Sequence, residues 1–255
     1  MRLPAIEGVI RRRLLINFRV DADVMRAQLP AMFRPKLHRG HAIAGICLIR
    51  LEGVRPAGLP GACGIASENA AHRVAVLWEG EDGPREGVFI PRRDTGSRLN
   101  HLAGGRVFPG EHHLADFAVQ DDGDRVALDI RAHDGGMAVQ VRGRAADSLP
   151  VTSCFASLAE TSAFFEAGSV GYSVTHDCCR LDGIELRVDR WSVRPLDVEH
   201  VHSSFFADEA KFPPGSVVFD HALIMRDVPH EWHQQPDLTL ADLPHHLPDA
   251  AGRGV

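Results

Sequence analysis

Lysine is almost missing from this chain. Of the 28 basic residues in a sequence of 255, only Lys36 and Lys211 are lysines. Chemistry that needs a primary amine is therefore limited to two positions. Lys36 follows a proline just after a predicted helix, and Lys211 precedes a turn at 212–215. The local sequence predicts that both lysines lie in exposed loops.

Long apolar runs are also absent. No segment approaches the ~18–20 apolar residues of a membrane-spanning helix, and the first residues, MRLPAIEGVIRRR, lack the apolar core of a signal peptide. The net charge of -6 gives little support for binding to nucleic acid or to an anionic membrane. These features predict a cytoplasmic protein with no nucleic-acid partner and no membrane partner.

The cysteines form no disulfide framework. There are five, an odd number without regular spacing. Cys47 lies in the apolar run AIAGICLIRL and is expected to be a buried core thiol. The adjacent pair Cys178 and Cys179 is compatible with redox chemistry or a soft metal, but no second pair follows at zinc spacing. The cysteines therefore predict no metal site.

What the chain does contain is typical of one globular domain. Hydrophobic residues make up 44% of the sequence and charged residues 24%, which suffices for a sizeable core. We find no internal repeat and no linker, and expect a single domain over residues 1–235. From Pro236 onward the sequence is rich in proline, histidine and glycine, so residues 236–255 are expected to form a loose tail.

Short segments with strand periodicity dominate the domain. Many alternate apolar and polar residues, and turn signals separate them. They lie at 14–20, 42–51, 71–78, 87–91, 113–119, 125–131, 137–143, 183–193, 198–206 and 216–225. Two helices are predicted, at 21–29 with Asp21 or Asp23 as N-cap, and at 157–167 with Ser157 and Glu160 as a capping box. The pattern predicts a mainly β fold whose large antiparallel sheet closes into a barrel or cone.

The segment 87–100, GVFIPRRDTGSRLN, is the first candidate for a site. If the strand period continues, Val88, Ile90 and Arg92 share one face, which places a guanidinium at the end of an apolar surface. The alternative is a surface turn in which Arg93 and Arg98 pair with nearby carboxylates.

The segment 66–78, ASENAAHRVAVLW, is the second candidate. Strand periodicity places Glu68 and His72 on the same face as the core residues that follow. Buried ionisable groups are costly unless paired and therefore mark candidate sites. The alternative is that Glu68 is solvated, or that it neutralises a structural arginine.

Histidines suggest a third possibility. His200 and His202 share one strand face, and two such histidines with a third ligand can hold a catalytic metal. The chain has 15 histidines, so pairs arise easily by chance. Since no third ligand follows at a standard spacing, we predict no metal.

Several segments together resemble one family. They include LLINFRVDADVMRAQLPAMFRP, GICLIRL, SENAAHRVAV, IPRRDTGSRLN, GRVFPGEHH and PPGSVVFDHALIMRDVPHEWH. This set resembles DUF2071, a bacterial family of uncharacterised proteins within the acetoacetate decarboxylase-like superfamily. The resemblance runs from about residue 5 to about residue 235. It implies an antiparallel, cone-shaped β-barrel with the active site inside, in agreement with the strand pattern.

The resemblance also implies that the Schiff-base lysine is missing. In the decarboxylase a Pro-Lys-Lys motif supplies this lysine, and the corresponding residues here are Pro91-Arg92-Arg93. A guanidinium stays protonated and has no free amine to attack a carbonyl, so Arg92 cannot form an imine. The family's barrel glutamate corresponds to Glu68. A family arginine corresponds to Arg11, the first of three successive arginines.

These observations predict a small-molecule-binding barrel that acts on a carboxylate or carbonyl compound without Schiff-base chemistry. Dehydration, enolisation or aldol-type chemistry would fit, with Arg92 and Glu68 as catalytic groups. Residues expected to bind substrate are Arg11, Asn69, His72, Arg93 and Arg98. No cofactor is predicted. Two alternatives stay open, a non-catalytic ligand-binding protein and a metal-dependent enzyme using His200 and His202, and a homo-oligomer is compatible with either.

Overall fold

The computed structural model describes residues 5–80, 82–103, 109–177 and 179–239. Its strands are β1 (Ile6–Val20), β2 (Arg34–Pro35), β3 (Leu37–His38), β4 (His41–Pro56), β5 (Ile65–Gly80), β6 (Gly83–Thr95), β7 (His112–Asp121), β8 (Arg125–Ala132), β9 (Ala138–Ala145), β10 (Val170–Val174), β11 (Arg180–Val188), β12 (Arg194–Ser203) and β13 (Val217–Thr239). The α-helices are α1 (Ala22–Gln28), α2 (Arg98–Ala103) and α3 (Leu158–Glu166), and a 3-10 helix spans Gly61–Cys63. Within these ranges no helix is long and apolar enough to cross a membrane.

The mainly β fold with a few short helices is confirmed. Each predicted strand overlaps an observed one, and most observed strands are longer than predicted. Sequence periodicity did not predict β2, β3, β10 and α2, which are short. The expected tail begins too early, because β13 continues to Thr239. The rest of that tail, 240–255, lies outside the described residues.

Both predicted helix starts are confirmed by their caps. The Asp21 carboxylate accepts hydrogen bonds from the backbone N–H groups of Asp23 and Val24, at 3.0 and 3.1 Å. The Ser157 hydroxyl oxygen accepts from the N–H of Glu160, at 3.1 Å. Each cap satisfies backbone donors that the first helical turn leaves unpaired.

The sheet closes on itself twice. One ring of paired strands runs β6-β7-β8-β9-β12-β13-β1-β4-β5 and returns to β6. A second ring runs β6-β10-β11-β13-β1-β4-β5, so β13, β1, β4, β5 and β6 belong to both. The expected antiparallel pairing holds except that β6 is parallel to β7 and to β10. The shared strands therefore have an enclosed region on each face.

Each face of the shared strands carries its own apolar core, because successive side chains of a strand point to opposite faces. The larger core contains Leu14, Ile16, Ile46, Leu48, Val74, Ile130 and Val141. The smaller core, on the opposite face, contains Leu15, Ile43, Phe155, Phe165, Leu223 and Met225.

A β-bulge interrupts the strand period in β6. Ala71 pairs with Arg93 and His72 pairs with Arg92, whereas the next pair is Val74 with Phe89. Two residues of β6, Ile90 and Pro91, therefore lie opposite Arg73 alone. Proline has no N–H to contribute to a ladder, and a bulge is one of the few places in a sheet that accepts it.

The bulge changes which arginine faces the smaller core. The expectation that Arg92 continues the face of Val88 and Ile90 is wrong, because the extra residue moves Arg92 to the opposite face. Arg93 takes the position beside Val88 and Ile90 instead. A slip of one residue reverses the face of every side chain that follows it.

Gly45 provides a test of the packing across the shared strands. A Cβ at Gly45 would lie 2.2 Å from the carbonyl oxygen of Ile16, which belongs to the backbone and cannot move away cheaply. We expect Gly45→Ala to lower the free energy of unfolding by about 1–3 kcal/mol, as overpacking typically does. Denaturant unfolding monitored by circular dichroism would measure it.

Gly61→Ala is the matched control for that variant. A Cβ at Gly61 meets no atom within 4 Å. Its free energy of unfolding should stay within about 0.5 kcal/mol of the parent value, as for most surface substitutions. Equal stability of the two variants would contradict the packing proposed for Gly45.

Candidate functional site

A cavity of about 500 Å³ lies on the smaller-core face of the shared strands. Side chains of β1, β4, β5 and β6 form one wall, and α3, β10 and β11 contribute the other. This volume is in the range of pockets that bind small organic ligands. Much of the lining is apolar and includes Ile49, Leu51, Val88, Ile90, Phe165 and Trp191.

Four arginines line this cavity, Arg13 on β1, Arg73 on β5, Arg93 on β6 and Arg187 on β11. Arg187 pairs with Glu185 at 2.8 Å. Among the described residues, the other three form no ion pair with a carboxylate. This arrangement is unusual, because a desolvated guanidinium normally has a carboxylate or phosphate partner.

Arg73 is the most deeply buried of the three, with 4% of its surface exposed. Its Nη2 donates to the side-chain oxygen of Asn17 at 2.5 Å, and its guanidinium lies over the ring of Phe165, 4.7 Å from the centroid. Its Nε and Nη1 are buried and have no hydrogen-bond partner within the described ranges. Two charged donors thus remain unsatisfied at the cavity.

The other two arginines also have few polar contacts. Arg13 donates from Nε to the sulfur of Cys47 at 3.1 Å, lies 5.7 Å from the ring of Trp191, and has a buried Nη1 without a described partner. Arg93 donates from Nε to the hydroxyl of Ser173 at 2.8 Å. Burial lowers the pKa of both Arg73 and Arg93 to about 10, so each remains charged at neutral pH.

Cross-strand register explains how Arg73 is held. His221 on β13 pairs with Asn17 on β1, Asn17 pairs with Gly45 on β4, and Gly45 pairs with Arg73 on β5. The four residues form one row across four strands. Because Gly45 has no side chain, Arg73 can reach over it to Asn17.

The row continues to a buried carboxylate. His221 contacts Asp220 through Nδ1 at 2.6 Å and Asn17 through Nε2 at 3.0 Å. Because the Asn17 amide nitrogen can only donate, the His221 Nε2 accepts and its Nδ1 carries the proton toward Asp220. Burial lowers the pKa of His221, although Asp220 opposes this effect, and the ring is neutral. Asp220 thus orients Arg73 through two neutral side chains without touching it.

Further polar groups lie near Arg93. Asn69 on β5 donates to the Ser67 hydroxyl at 2.9 Å and accepts from Thr95 at 2.8 Å. His112 lines the cavity, and its Nδ1 lies 3.2 Å from the carbonyl oxygen of Gly110. Burial, assisted by the charge of Arg93, lowers the pKa of His112 to about 3. Its neutral ring therefore presents an Nε2 acceptor.

Arg92 does not line this cavity. Its guanidinium donates to Asp94, from Nε at 3.0 Å and from Nη2 at 2.8 Å, and to Asp134 at 2.9 Å. Two carboxylates therefore neutralise it on the larger-core face. The catalytic role expected for Arg92 stays a prediction that this geometry does not favour.

Glu68 and His72 also lie on the larger-core face, outside the cavity. Glu68 accepts from Arg12 at 2.6 Å, which is the structural pairing considered as its alternative role. His72 is fully buried against Phe205, and its Nε2 lies 3.3 Å from the hydroxyl of Ser203. Burial lowers the pKa of His72 to about 3, so this ring is neutral.

The remaining predicted residues divide between cavity and surface. Asn69 and Arg93 line the cavity. Arg11 is half-exposed and pairs with Glu52 at 2.7 Å and with Asp227 at 3.0 Å. Arg98 is exposed on α2. The cavity arginine in the predicted run of three is therefore Arg13, two residues beyond Arg11.

Neither lysine reaches the cavity. Lys36 pairs with Glu86 at 2.5 Å, and 19% of its side chain is exposed, so its predicted exposed position is wrong. Lys211 pairs with Asp208 at 2.9 Å and is exposed as expected. Both amines therefore form ion pairs outside the cavity.

The candidate metal ligands lie on the surface. His200 and His202 are exposed on β12. In the described ranges, no group of three or more histidine, cysteine, aspartate or glutamate side chains is placed to hold a metal. Cys178, one of the vicinal pair, lies outside the described residues.

Sequence patterns did not identify Arg13, Arg73, Asn17 or His221. Arg73 directly follows the candidate residue His72. Strand periodicity placed the candidate site on the face of Glu68 and His72, and Arg73 lies on the opposite face of that strand. Asn17 lies within an apolar run, LLINFRV, where a buried amide requires a partner. That partner is 56 residues away along the chain.

Solved structures of known proteins share this fold. Acetoacetate decarboxylase from Legionella pneumophila superposes with a TM-score of 0.59 at 12% identity, over 92% of this chain and 88% of that chain. An acetoacetate decarboxylase-like enzyme from Sphingomonas wittichii RW1 gives 0.56 at 12% identity, over 93% and 95%. The enduracididine biosynthesis enzyme MppR complexed with pyruvate gives 0.52 at 14% identity, over 95% and 92%. The fold is that of acetoacetate decarboxylase-like proteins.

The family is also established. No curated protein matches the sequence significantly. The model of the DUF2071 family, described as an uncharacterized conserved protein, matches residues 9–223. The chain belongs to the DUF2071 family, and the resemblance inferred from its motifs is confirmed.

The ion pair of Arg92 on the larger-core face of β6 predicts a role in stability. Arg92→Ala leaves the fully buried Asp94 without its guanidinium. We expect a loss of about 3 kcal/mol in the free energy of unfolding at neutral pH, the scale for a broken buried pair. Arg85→Ala is the control, because its pair with Asp82 is largely exposed and should contribute no more than about 1 kcal/mol. Denaturant unfolding would measure both.

The Arg92→Ala variant should also change the pH dependence of stability. Burial already raises the pKa of Asp94 above its usual value, and Arg92 opposes that rise. Without Arg92 the folded protein holds a proton on Asp94 at a pH where the unfolded chain has released it. The deficit in stability should therefore shrink as the pH falls from neutral toward mildly acidic values. A deficit that grows on acidification would contradict this assignment.

Proposed function

We propose that this protein binds a small organic anion, a carboxylate, in the cavity lined by Arg13, Arg73 and Arg93. The observation that carries the proposal is the presence of three guanidiniums in one largely apolar cavity, none of which forms an ion pair among the described residues. Two of them, Arg13 and Arg73, also have buried nitrogen atoms without a described partner. The lost hydration of such groups is best recovered by an anionic ligand. A carboxylate can accept two parallel N–H donors from one guanidinium.

The Asp220–His221–Asn17 chain supports this role for Arg73. A carboxylate in direct contact would neutralise Arg73 and compete with the ligand. Asp220 instead acts through two neutral side chains, so it orients the guanidinium, and Nε and Nη1 keep no described partner. Such preorganisation lowers the cost of binding, because the donors already occupy their final positions.

The expected chemistry uses no imine. Lys36 and Lys211 are engaged by Glu86 and Asp208 outside the cavity, and a guanidinium cannot replace an amine. Guanidiniums in an apolar cavity would stabilise an enolate or a developing oxyanion. We therefore propose lyase-like chemistry such as dehydration, enolisation or aldol-type reaction. Of the two arginines that follow Pro91, we assign the role in the cavity to Arg93 and not to Arg92.

Two further observations agree with a carboxylate ligand that carries a second polar group. His112 presents a neutral ring to the same cavity, and its Nε2 can accept a hydrogen bond from a ligand hydroxyl. MppR, a structural neighbour, is known in a complex with pyruvate, a small keto acid. Short keto and hydroxy acids are therefore the first ligands to test.

Anion selectivity gives a direct test. The parent protein should bind a short keto or hydroxy acid more tightly than its neutral amide, since the amide offers no charge to the three guanidiniums. Arg93→Ala should weaken carboxylate binding by about 1.5–3 kcal/mol, the scale of a charged hydrogen bond. Isothermal titration calorimetry with matched acid and amide pairs would measure both.

Arg144→Ala is the matched control. Arg144 lies outside the cavity, in an exposed pair with Asp197 at 3.1 Å. Its removal should leave carboxylate affinity within a factor of about two, as for a surface pair of little net energy. Equal affinity of the parent protein for acid and amide would show that the cavity is not an anion site.

Borohydride trapping tests the absence of an imine. Incubation with acetoacetate and borohydride should leave the intact mass unchanged, because both lysines lie outside the cavity. A decarboxylase with a Schiff-base lysine, treated in parallel, should gain one substrate adduct. A stable adduct on Lys36 or Lys211 would overturn the non-imine mechanism.

A further inference from the structure

We infer that Cys47 is the nucleophile of this cavity, and that it reacts with small carboxylates that carry an electrophilic carbon. The preference for carboxylates rests on the anion site proposed above, whereas the reactivity of the thiol does not. The sequence predicts a core thiol at this position. The structure confirms that Cys47 is buried in the smaller core, with 8% of its surface exposed, and it also places Cys47 in the cavity wall.

Guanidiniums from three strands lie around the sulfur. The Nε–H of Arg13 donates to the Cys47 sulfur at 3.1 Å, a short contact for a sulfur acceptor. Arg73 and Arg93 line the same cavity and add positive charge from β5 and β6. Thiolate is the nucleophilic form of cysteine, and neighbouring cations are what stabilise it in reactive thiols.

A second, independent observation points to a ligand beside this sulfur. Arg73 is more than nine-tenths buried, lines the same cavity, and has two nitrogen atoms without a described partner. The buried Nη1 of Arg13 is also unpartnered. Since Arg13 already contacts Cys47, an anion held by these donors would lie next to the thiol.

Cys154 shows the opposite situation within the same chain. It is also 8% exposed, but its neighbour is the carboxylate of Asp220. Burial, and then the charge of Asp220, raise the pKa of the Cys154 thiol to about 12. The two thiols are equally buried and differ in the sign of the adjacent charge, so of these two only Cys47 should react.

The chemical step is a nucleophilic addition or displacement at carbon. With an iodoacetate probe, the thiolate sulfur forms a bond to the methylene carbon, and iodide leaves with the electron pair of the carbon–iodine bond. With a keto acid, the sulfur adds to the carbonyl carbon and the π electron pair moves to oxygen. A guanidinium can bind that oxygen until it takes a proton from water, and the addition is reversible.

Paired alkylating agents test this inference. Iodoacetate and iodoacetamide deliver the same carbon to a thiol, but only iodoacetate is an anion. The full-length protein is treated with each reagent at neutral pH, and modification of each cysteine is followed over time by peptide mass spectrometry. The ratio of iodoacetate to iodoacetamide rates should be at least about tenfold higher at Cys47 than at the exposed Cys63, since charged hydrogen bonds bind only the anion. Cys154 should stay unmodified.

Variants separate reactivity from access. Arg13→Gln keeps a side chain of similar length and should slow modification of Cys47 by both reagents by roughly tenfold, because the charged donor to the sulfur is lost. Arg144→Gln, in an exposed pair with Asp197 outside the cavity, should leave the rates unchanged. Unfolding curves show whether each variant is folded, and modification of Cys63 serves as the internal standard in every sample.

The outcomes distinguish the two proposals. Fast modification of Cys47 by iodoacetamide, without any preference for iodoacetate, would support Cys47 as the nucleophile. The same result would overturn its proposed preference for carboxylates. If calorimetry detects binding of acetate but Cys47 is inert, the proposed anion site is supported and the proposed reactivity of Cys47 is overturned. Unchanged Cys47 rates in a folded Arg13→Gln protein would show that Arg13 does not activate the thiol.

Discussion

The hydrogen bond from Arg73 to Asn17 is the constraint on which the cavity depends. It holds a guanidinium, 4% exposed, in an apolar wall without a carboxylate in contact. A buried charge of this kind is unfavourable unless its remaining donors find partners. The missing side chain at Gly45 allows the contact, and the chain through His221 to Asp220 orients it. The cavity is thereby built with its charge available to a ligand.

Strand alternation divides four arginines of this protein into two groups. Arg12 and Arg92 lie on the larger-core face, where Glu68 and Asp94 neutralise them. Arg13 and Arg93, the next residues along the chain, lie on the cavity face without such partners in the part of the chain that the structure describes. The first group stabilises the fold, and we propose that the second group recognises a ligand and activates Cys47. Neighbours in sequence thus have different roles because successive strand residues face opposite sides.

Much of the fold could be predicted from local patterns. The long strands and the two capped helices follow from periodicity and from Asp21 and Ser157, which act within one helical turn. The short elements β10 and α2 were missed, because five or six residues carry too little periodicity to recognise. The two closures of the sheet and the parallel pairings of β6 depend on contacts between distant segments, which no local pattern contains.

The sequence by itself determined the family and the mainly β fold. It also placed an arginine pair after Pro91. Only the tertiary structure decided which of Arg92 and Arg93 faces the cavity. The reason is the bulge at Pro91, which exists only where β6 pairs with β5 and two residues lie opposite Arg73. Pairing over such a distance fixes the face of each side chain, and with it which charges remain free to bind.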